Sequence, residues 1–163
     1  MNIEQIMTRK IVTVEMDDKL SVVKEIFDHL KFHHVLVLEY KKLAGIVSDR
    51  DLLKAISPNL GTRTETTRDS ASLSKRVHQI MTHKPITLHP SATLDDAVNL
   101  FATHQVSCIP VVDIDNNPLG IVTWNLSETE RNDTFPQGFM HITDNVGLHK
   151  KRLAQLATPS ISV

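Results

Sequence analysis

Apolar residues along this chain switch between two periods, and the same switch occurs twice. Val12-Thr13-Val14 has the alternation of a short strand. Leu20, Val23, Ile26, Phe27 and Leu30 then recur at helical spacing, which predicts an amphipathic helix with one apolar stripe. Asp17 or Asp18 is the expected cap of that helix. Val35 to Glu39 is a near-continuous apolar run of strand length, Tyr40-Lys41-Lys42 is a turn, and Leu43 to Ser48 is the next strand. Asp49 to Ile56 reads as a helix with acids in its first turn, where the dipole favours them. Ser57-Pro58 stops it.

The second copy reuses this plan. Ile80-Met81-Thr82 repeats Ile6-Met7-Thr8, with Thr8 and Thr82 standing 74 positions apart (82−8). Ile86-Thr87-Leu88 is the first strand. Thr93 caps a helix whose stripe is Leu94, Ala97, Val98 and Phe101. Ile109 to Asp113 and Leu119 to Thr123 are strands flanking the turn Asp115-Asn116-Asn117-Pro118. Gly45 and Gly120 stand 75 positions apart (120−45), so one residue of slip accumulates between the last two strands. A repeat this long is too large for a stacking solenoid unit. Two copies of a small βαββα unit, of mixed α/β (α+β) class and packed about a pseudo-two-fold, are expected instead.

The organisation is therefore repeat 1 over 1–57, a polar linker over 58–74, repeat 2 over 75–126 and an atypical tail over 127–163. The linker is rich in Ser, Thr and Arg without an apolar period and reads as solvated, with brief helical pieces. Lys75 to Met81 reads as a short helix leading into repeat 2. After Trp124 the chain does not repeat the Asp-Leu-Leu-Lys helix, and the tail offers one late helical pattern around Val146 to Ala157.

Composition changes this picture little. Hydrophobic residues make up 40%, charged residues 23% and aromatics 4%, so the core is aliphatic. A net charge of −1 gives no electrostatic reason for a nucleic-acid or anionic-membrane partner. No apolar run approaches the roughly 20 residues of a spanning helix, and no signal sequence opens the chain, so a soluble cytoplasmic protein is expected. Cys108 is the single cysteine and reads as a reduced structural thiol. Neither a nucleophile elbow nor a P-loop occurs, and the nine histidines form no helical ligand pair or Cys/His array. No catalytic residues and no metal site are expected.

A duplicated unit with Ile-Met-Thr, an apolar strand and then Gly45-Ile46-Val47-Ser48-Asp49-Arg50-Asp51-Leu52-Leu53-Lys54-Ala55 resembles the CBS-domain pair, or Bateman module. The resemblance covers 1–57 and 75–124, and the chain looks like stand-alone two-repeat proteins of the acetoin-utilisation-like group. It implies βαββα repeats, pairing of modules into a homodimer, and clefts that take AMP, ADP, ATP or S-adenosylmethionine as regulatory ligands, with no required cofactor. It implies regulation of an unidentified protein partner rather than catalysis.

The family's ribose pattern, Gly-x-x-Ser/Thr-x-x-Asp, is met by Gly45, Ser48 and Asp51. The resemblance thus gives Asp51 the ribose hydroxyls, with Ser48 nearby. A helix first-turn acid is the other reading of Asp51. The base slot is expected from the opposite repeat, around Ile86, Val106, Ser107 and Cys108. In repeat 2, Leu126 stands where the aspartate belongs and cannot accept hydrogen bonds from a diol. A weaker second site is therefore expected near Val12, His33, His34 and Thr123. The resemblance brings the positions of His33 and His34 near phosphates, where the second histidine is a pH-dependent cation. The competing expectation is a protein-interaction or dimerisation module whose clefts bind nothing.

Overall fold

A two-residue turn fixes the first sheet. In the computed structural model, which describes residues 1–124, Glu39 pairs with Lys42, and both residues between them have positive φ: Tyr40 at 49° and Lys41 at 66°. This left-handed pair matches the right-handed twist of the flanking strands. The strands are β2 (His34–Glu39) and β3 (Lys42–Ser48), which run antiparallel. Val37 pairs with Gly45 and Leu38 with Leu43, so Ala44 is the extra residue of a β-bulge. β1 (Thr13–Glu15) joins β2 in parallel, and β4 (Thr82–His83) joins β3 antiparallel, giving the order β1-β2-β3-β4.

The helices preceding and following these strands are α1 (Ile3–Ile6), α2 (Leu20–His29), α3 (Asp49–Ala55), α4 (Thr67–Ala71) and α5 (Leu94–His104). The remaining strands are β5 (Cys108–Val112) and β6 (Pro118–Thr123), which form a two-stranded sheet. Leu126 and the 127–163 tail, including the helical pattern around Val146 to Ala157, lie outside the described residues. Among the described residues, no helix is long and apolar enough to cross a membrane.

The chain divides into two units that cut across the sequence repeats. One unit comprises Arg9–Ile86 and Val112–Gly120. Its core is aliphatic: Val14, Leu20, Val23, Val35, Val37, Val47, Leu52, Val77 and Met81. Val35, Val37 and Val47 alternate along their strands, so one sheet face supplies the core while α2 and α3 cover it with Leu20, Val23 and Leu52. The loop after β5 belongs to this unit. Asn116, at φ 63°, accepts from the Leu43 amide at 3.0 Å and donates its side-chain amide to the Leu43 carbonyl at 2.9 Å.

Among the described residues, the other unit comprises Met1–Thr8, Thr87–Val111 and the chain from Ile121 to Trp124. Ile3, Met7, Leu94, Ala97, Val98, Phe101, Ile109, Val111 and Val122 are buried there. The expected strand Ile86 to Leu88 is reduced to one parallel bridge, Leu88 with Val111. That bridge is the counterpart of Val14 with Val37.

The bridges show how each unit is completed. Thr8 pairs with Ile121 in one unit, and Thr82 pairs with Ile46 in the other. Asn2 pairs with Thr93, and Arg76 with Lys19. Each set maps onto the other by the repeat offset. The segment leading into repeat 1 thus finishes the sheet of repeat 2, and the segment leading into repeat 2 finishes the sheet of repeat 1.

Two local expectations are corrected. Lys19, not Asp17 or Asp18, is the N-cap of α2 and makes no side-chain cap bond. The Asp18 carboxylate is already taken by the Glu15 amide at 2.8 Å, and the Leu20 amide donates instead to the Lys75 carbonyl at 2.9 Å. Lys75 to Met81 forms only a 3-10 turn at Val77–Gln79, because Arg76 and Thr82 are held in extended pairing. The linker is largely exposed and carries α4 and a 3-10 turn at Ser72–Ser74. It closes on itself through Ser57, whose hydroxyl donates to Asp69 at 2.6 Å and whose amide donates to Ser72 at 3.1 Å. The Ser57 hydroxyl and the Thr66 bonds hold the Asp69 carboxyl down at about 2.

Two substitutions test this account. A Cβ on Gly45 would lie 2.9 Å from the Thr82 carbonyl and 2.6 Å from the Met81 sulfur. Gly45→Ala is expected to cost about 1–3 kcal/mol through overpacking, read by urea unfolding. Lys41→Gly is expected to raise stability by about 0.5–1 kcal/mol, since glycine adopts the left-handed turn without the Cβ penalty. A loss of stability in that variant would mean the turn is not the strained element inferred here.

Candidate functional site

Ser48 ends β3 and is also the N-cap of α3. Its hydroxyl accepts from the Asp51 amide at 3.2 Å. In return, Asp51 Oδ2 accepts from the Ser48 amide at 2.8 Å and the Ser48 hydroxyl at 2.9 Å. This is a capping box, with both partners satisfying orphan donors of the first turn. Oδ1 of Asp51 makes no hydrogen bond among the described residues.

The same box recurs twice. Thr66 and Asp69 form it at α4, and Thr93 and Asp96 form it at α5. The Ser/Thr-x-x-Asp pattern is thus explained locally by helix initiation at all three places. Asp51 differs in its surroundings rather than in its geometry.

Those surroundings come from β2. His34 pairs with Ser48 across the sheet and is half-buried. His33 precedes it and is clamped at two points. Its carbonyl accepts from the Asp49 amide at 3.0 Å, and its Nδ1 lies 2.9 Å from Asp49 Oδ2. The Val12 carbonyl accepts from the Leu36 amide at 3.0 Å, which holds half-buried Val12 beside the same strand. The Lys10 ammonium lies 5.9 Å from the centroid of the Phe32 ring. Burial holds the His34 imidazole below its ordinary 6.5, against the opposing pull of Asp49 and Asp51.

The second repeat builds the same backbone frame with different side chains. The Trp124 amide donates to the Ser107 carbonyl at 2.9 Å, the counterpart of the bond from Asp49 to His33. Trp124 is buried, with its ring centroid 5.1 Å from that of Phe101. Cys108 is buried, and desolvation pushes its thiol up to about 12, so it stays protonated. Val106 and Thr123 are half-buried and Ser107 is exposed. Where the first repeat places two histidines and an aspartate, the second thus places Ser107, Cys108 and Trp124.

The expected site residues divide between the two units. Val12, His33, His34, Ser48 and Asp51 share one unit, and half-buried Ile86 belongs to it as well. Val106, Ser107, Cys108 and Thr123 share the other. Asp49 was passed over in the sequence reading. Its signal was its place directly after the strand, facing the histidine pair that ends the preceding loop.

The unfolded chain binds a proton at position 34 more readily than the folded one does. Stability therefore falls as pH drops through 6.5 toward the depressed folded value. Thermal melts across pH 5 to 8 should show that His34→Gln flattens this fall; an unchanged slope would place the titration elsewhere.

Comparison with known proteins agrees with this duplicated frame. The family profile described as CBS domain matches residues 3–58 and 77–125. The chain is 32% identical over 146 residues to an uncharacterised protein of Methanocaldococcus jannaschii, covering 76% of this chain and 86% of that one. It is 29% identical over 141 residues to the inosine-5'-monophosphate dehydrogenase of Helicobacter pylori, covering 82% of this chain. The match spans only 27% of that enzyme's length and carries no catalytic activity over. Among solved structures, a putative acetoin utilisation protein of Vibrio cholerae superposes with TM-score 0.62 and 28% identity, covering 76% of this chain and 85% of that one. CBSX2 of Arabidopsis thaliana, in complex with AMP, superposes with TM-score 0.62 and 27% identity, covering 75% and 89%. With two profile matches over more than half of its length, on repeats that share one backbone frame, the chain belongs to the CBS domain family.

Proposed function

We propose that this chain is a regulatory module that binds an adenosine-containing ligand in the first repeat, at the niche of Val12, His34, Ser48 and Asp51. It reports the bound state to a cytoplasmic partner protein by a change of shape. The observation that carries this reading is the Asp51 carboxylate. Oδ2 is engaged by Ser48, and Oδ1 is left as an acceptor in the first turn of α3. A ribose diol requires such an acceptor. The likeness to a CBS-pair protein solved with AMP supports the ligand class.

A second reading has its own support. Because Thr66–Asp69 and Thr93–Asp96 repeat the capping box, the motif is fully accounted for by helix initiation. A module that only mediates protein association would keep it.

Ligand binding separates the two. A thermal shift with AMP, ADP, ATP and S-adenosylmethionine is expected to give stabilisation of about 2.7 kcal/mol at 100-fold over the dissociation constant for a ligand that binds. No shift with any of them would favour the association module. Asp51→Asn is the informative variant. Its side-chain oxygen can keep the cap while the amide nitrogen offers a donor where the diol needs an acceptor. Calorimetry should show affinity weakened by about 10- to 100-fold with the melting temperature nearly retained. Asp51→Ala should in addition lose about 1 kcal/mol of stability with the cap.

The module is also proposed to form a homodimer. Val22 and Leu30 of the α2 region and Leu53 of α3 are 40%, 45% and 70% exposed, apolar surface that a second copy can cover. Light scattering should give twice the chain mass of 18.3 kDa; a monomer at high micromolar concentration would remove this part.

A further inference from the structure

We propose that the Tyr40-Lys41 turn and the Ile114-Asp115 turn form a self-complementary contact between two copies of this chain, each turn meeting the other turn of the second copy. The observation is a pair of side chains left outside the core. Tyr40 is 89% exposed and Ile114 is 92% exposed, the two highest values among the large apolar side chains described. They are repeat counterparts, 74 positions apart (114−40), the offset that also relates Thr8 to Thr82. Both turns lie in the same unit. They are tied together by the two bonds between Asn116 and Leu43 and by the Lys42 ammonium, which donates to Asn117 Oδ1 at 3.0 Å. The turns are therefore one platform. It stands away from the candidate site: Glu39 pairs with Lys42 at this end of β2 and β3, and His34 pairs with Ser48 at the other.

Neither burial nor turn chemistry accounts for these residues. Tyr40 and Lys41 both hold positive φ, where asparagine and glycine are the usual choice. One exposed apolar side chain is ordinary; two at equivalent turns of one platform make a patch. Charge decides what covers it. The next residues, Lys41 and Asp115, are also counterparts (115−41 gives 74), exposed and of opposite sign. Lys42 is engaged by Asn117, and the Asp113 carboxylate by the amides of Asp115 and Asn117. Among the described residues, no hydrogen bond or ion pair engages the side chains of Lys41 and Asp115. A two-fold contact sets residue i against j and j against i. Here it sets Lys41 against Asp115 twice, with Tyr40 against Ile114 in both halves. Pairing each turn with its own copy would oppose like charges instead. The patch thus carries both halves of its own complement. Two apolar side chains and two ion pairs fall short of the roughly 1,000 Å² of a stable interface, so the association is weak and salt-sensitive. It is separate from the apolar surface of α2 and α3.

The test is sedimentation of the full chain at low salt and rising concentration, on the wild type, Lys41→Glu, Asp115→Lys and an equimolar mixture of the two variants. Each variant alone puts like charges at both ion pairs and is expected to weaken association at least about tenfold. In the mixture, the pairs between unlike variants are again of opposite sign, so association is expected to return toward the wild-type level. That recovery also shows that both variants are folded. Neither change touches Val22, Leu30 or Leu53, so any mass held by that face is common to all four samples. Single variants that associate as the wild type does, or a mixture no heavier than its separate components, would overturn the turn-to-turn contact.

Discussion

Gly45 is where the fold has no slack. At this residue the third strand accepts the backbone of Thr82, and a side chain would collide with a carbonyl that cannot move without unpairing β4. The pairing it permits brings the Val77–Met81 segment onto the sheet, where Val77 and Met81 join the core of the first repeat. The linker then has a fixed end at Lys75, whose carbonyl receives the first amide of α2 and whose ammonium reaches the Ala55 carbonyl at 2.9 Å. Core, helix start and linker closure in this unit all depend on one close backbone approach.

The bulge at Ala44 makes the candidate site. Counting back from the pair Glu39 and Lys42 without it, Val47 would face His34, and Ser48 would lie on the wrong side of the sheet. The extra residue shifts the register by one. His34 then meets the serine that starts α3, while Val47 keeps its place in the core. A local irregularity in a strand thus decides which side chain stands beside the imidazole.

These two features mark the boundary of what the residues alone reveal. The apolar periods of β2, β3, α2, α3 and α5 were legible because burial imposes them on the sequence directly, and the Thr93 cap was legible because Asp96 follows three residues later. The bulge was not, since Leu43-Ala44-Gly45 has no signature distinguishing it from regular alternation. Nor was the partner of Thr8 or Thr82, because bridges between segments far apart in the chain leave no periodic trace. The Asp18 cap failed for a related reason: an acid before a helix serves equally well in the turn that closes β1. The candidate site was read from Gly45, Ser48 and Asp51, all within one short stretch. His34 and Asp49 could be assigned their neighbours only when the register was known.

The exchange of lead segments also sets an order of events. Thr82 closes on Ile46 across a short stretch of chain, but Thr8 must wait for Ile121. The longer closure costs only about 1 kcal/mol more entropy, so its consequence is temporal rather than energetic. On a ribosome, residues 1–8 emerge well before Ile121, the residue that pairs with Thr8. Until then they are an unpaired edge, and another nascent copy of the same chain offers an identical strand to receive them.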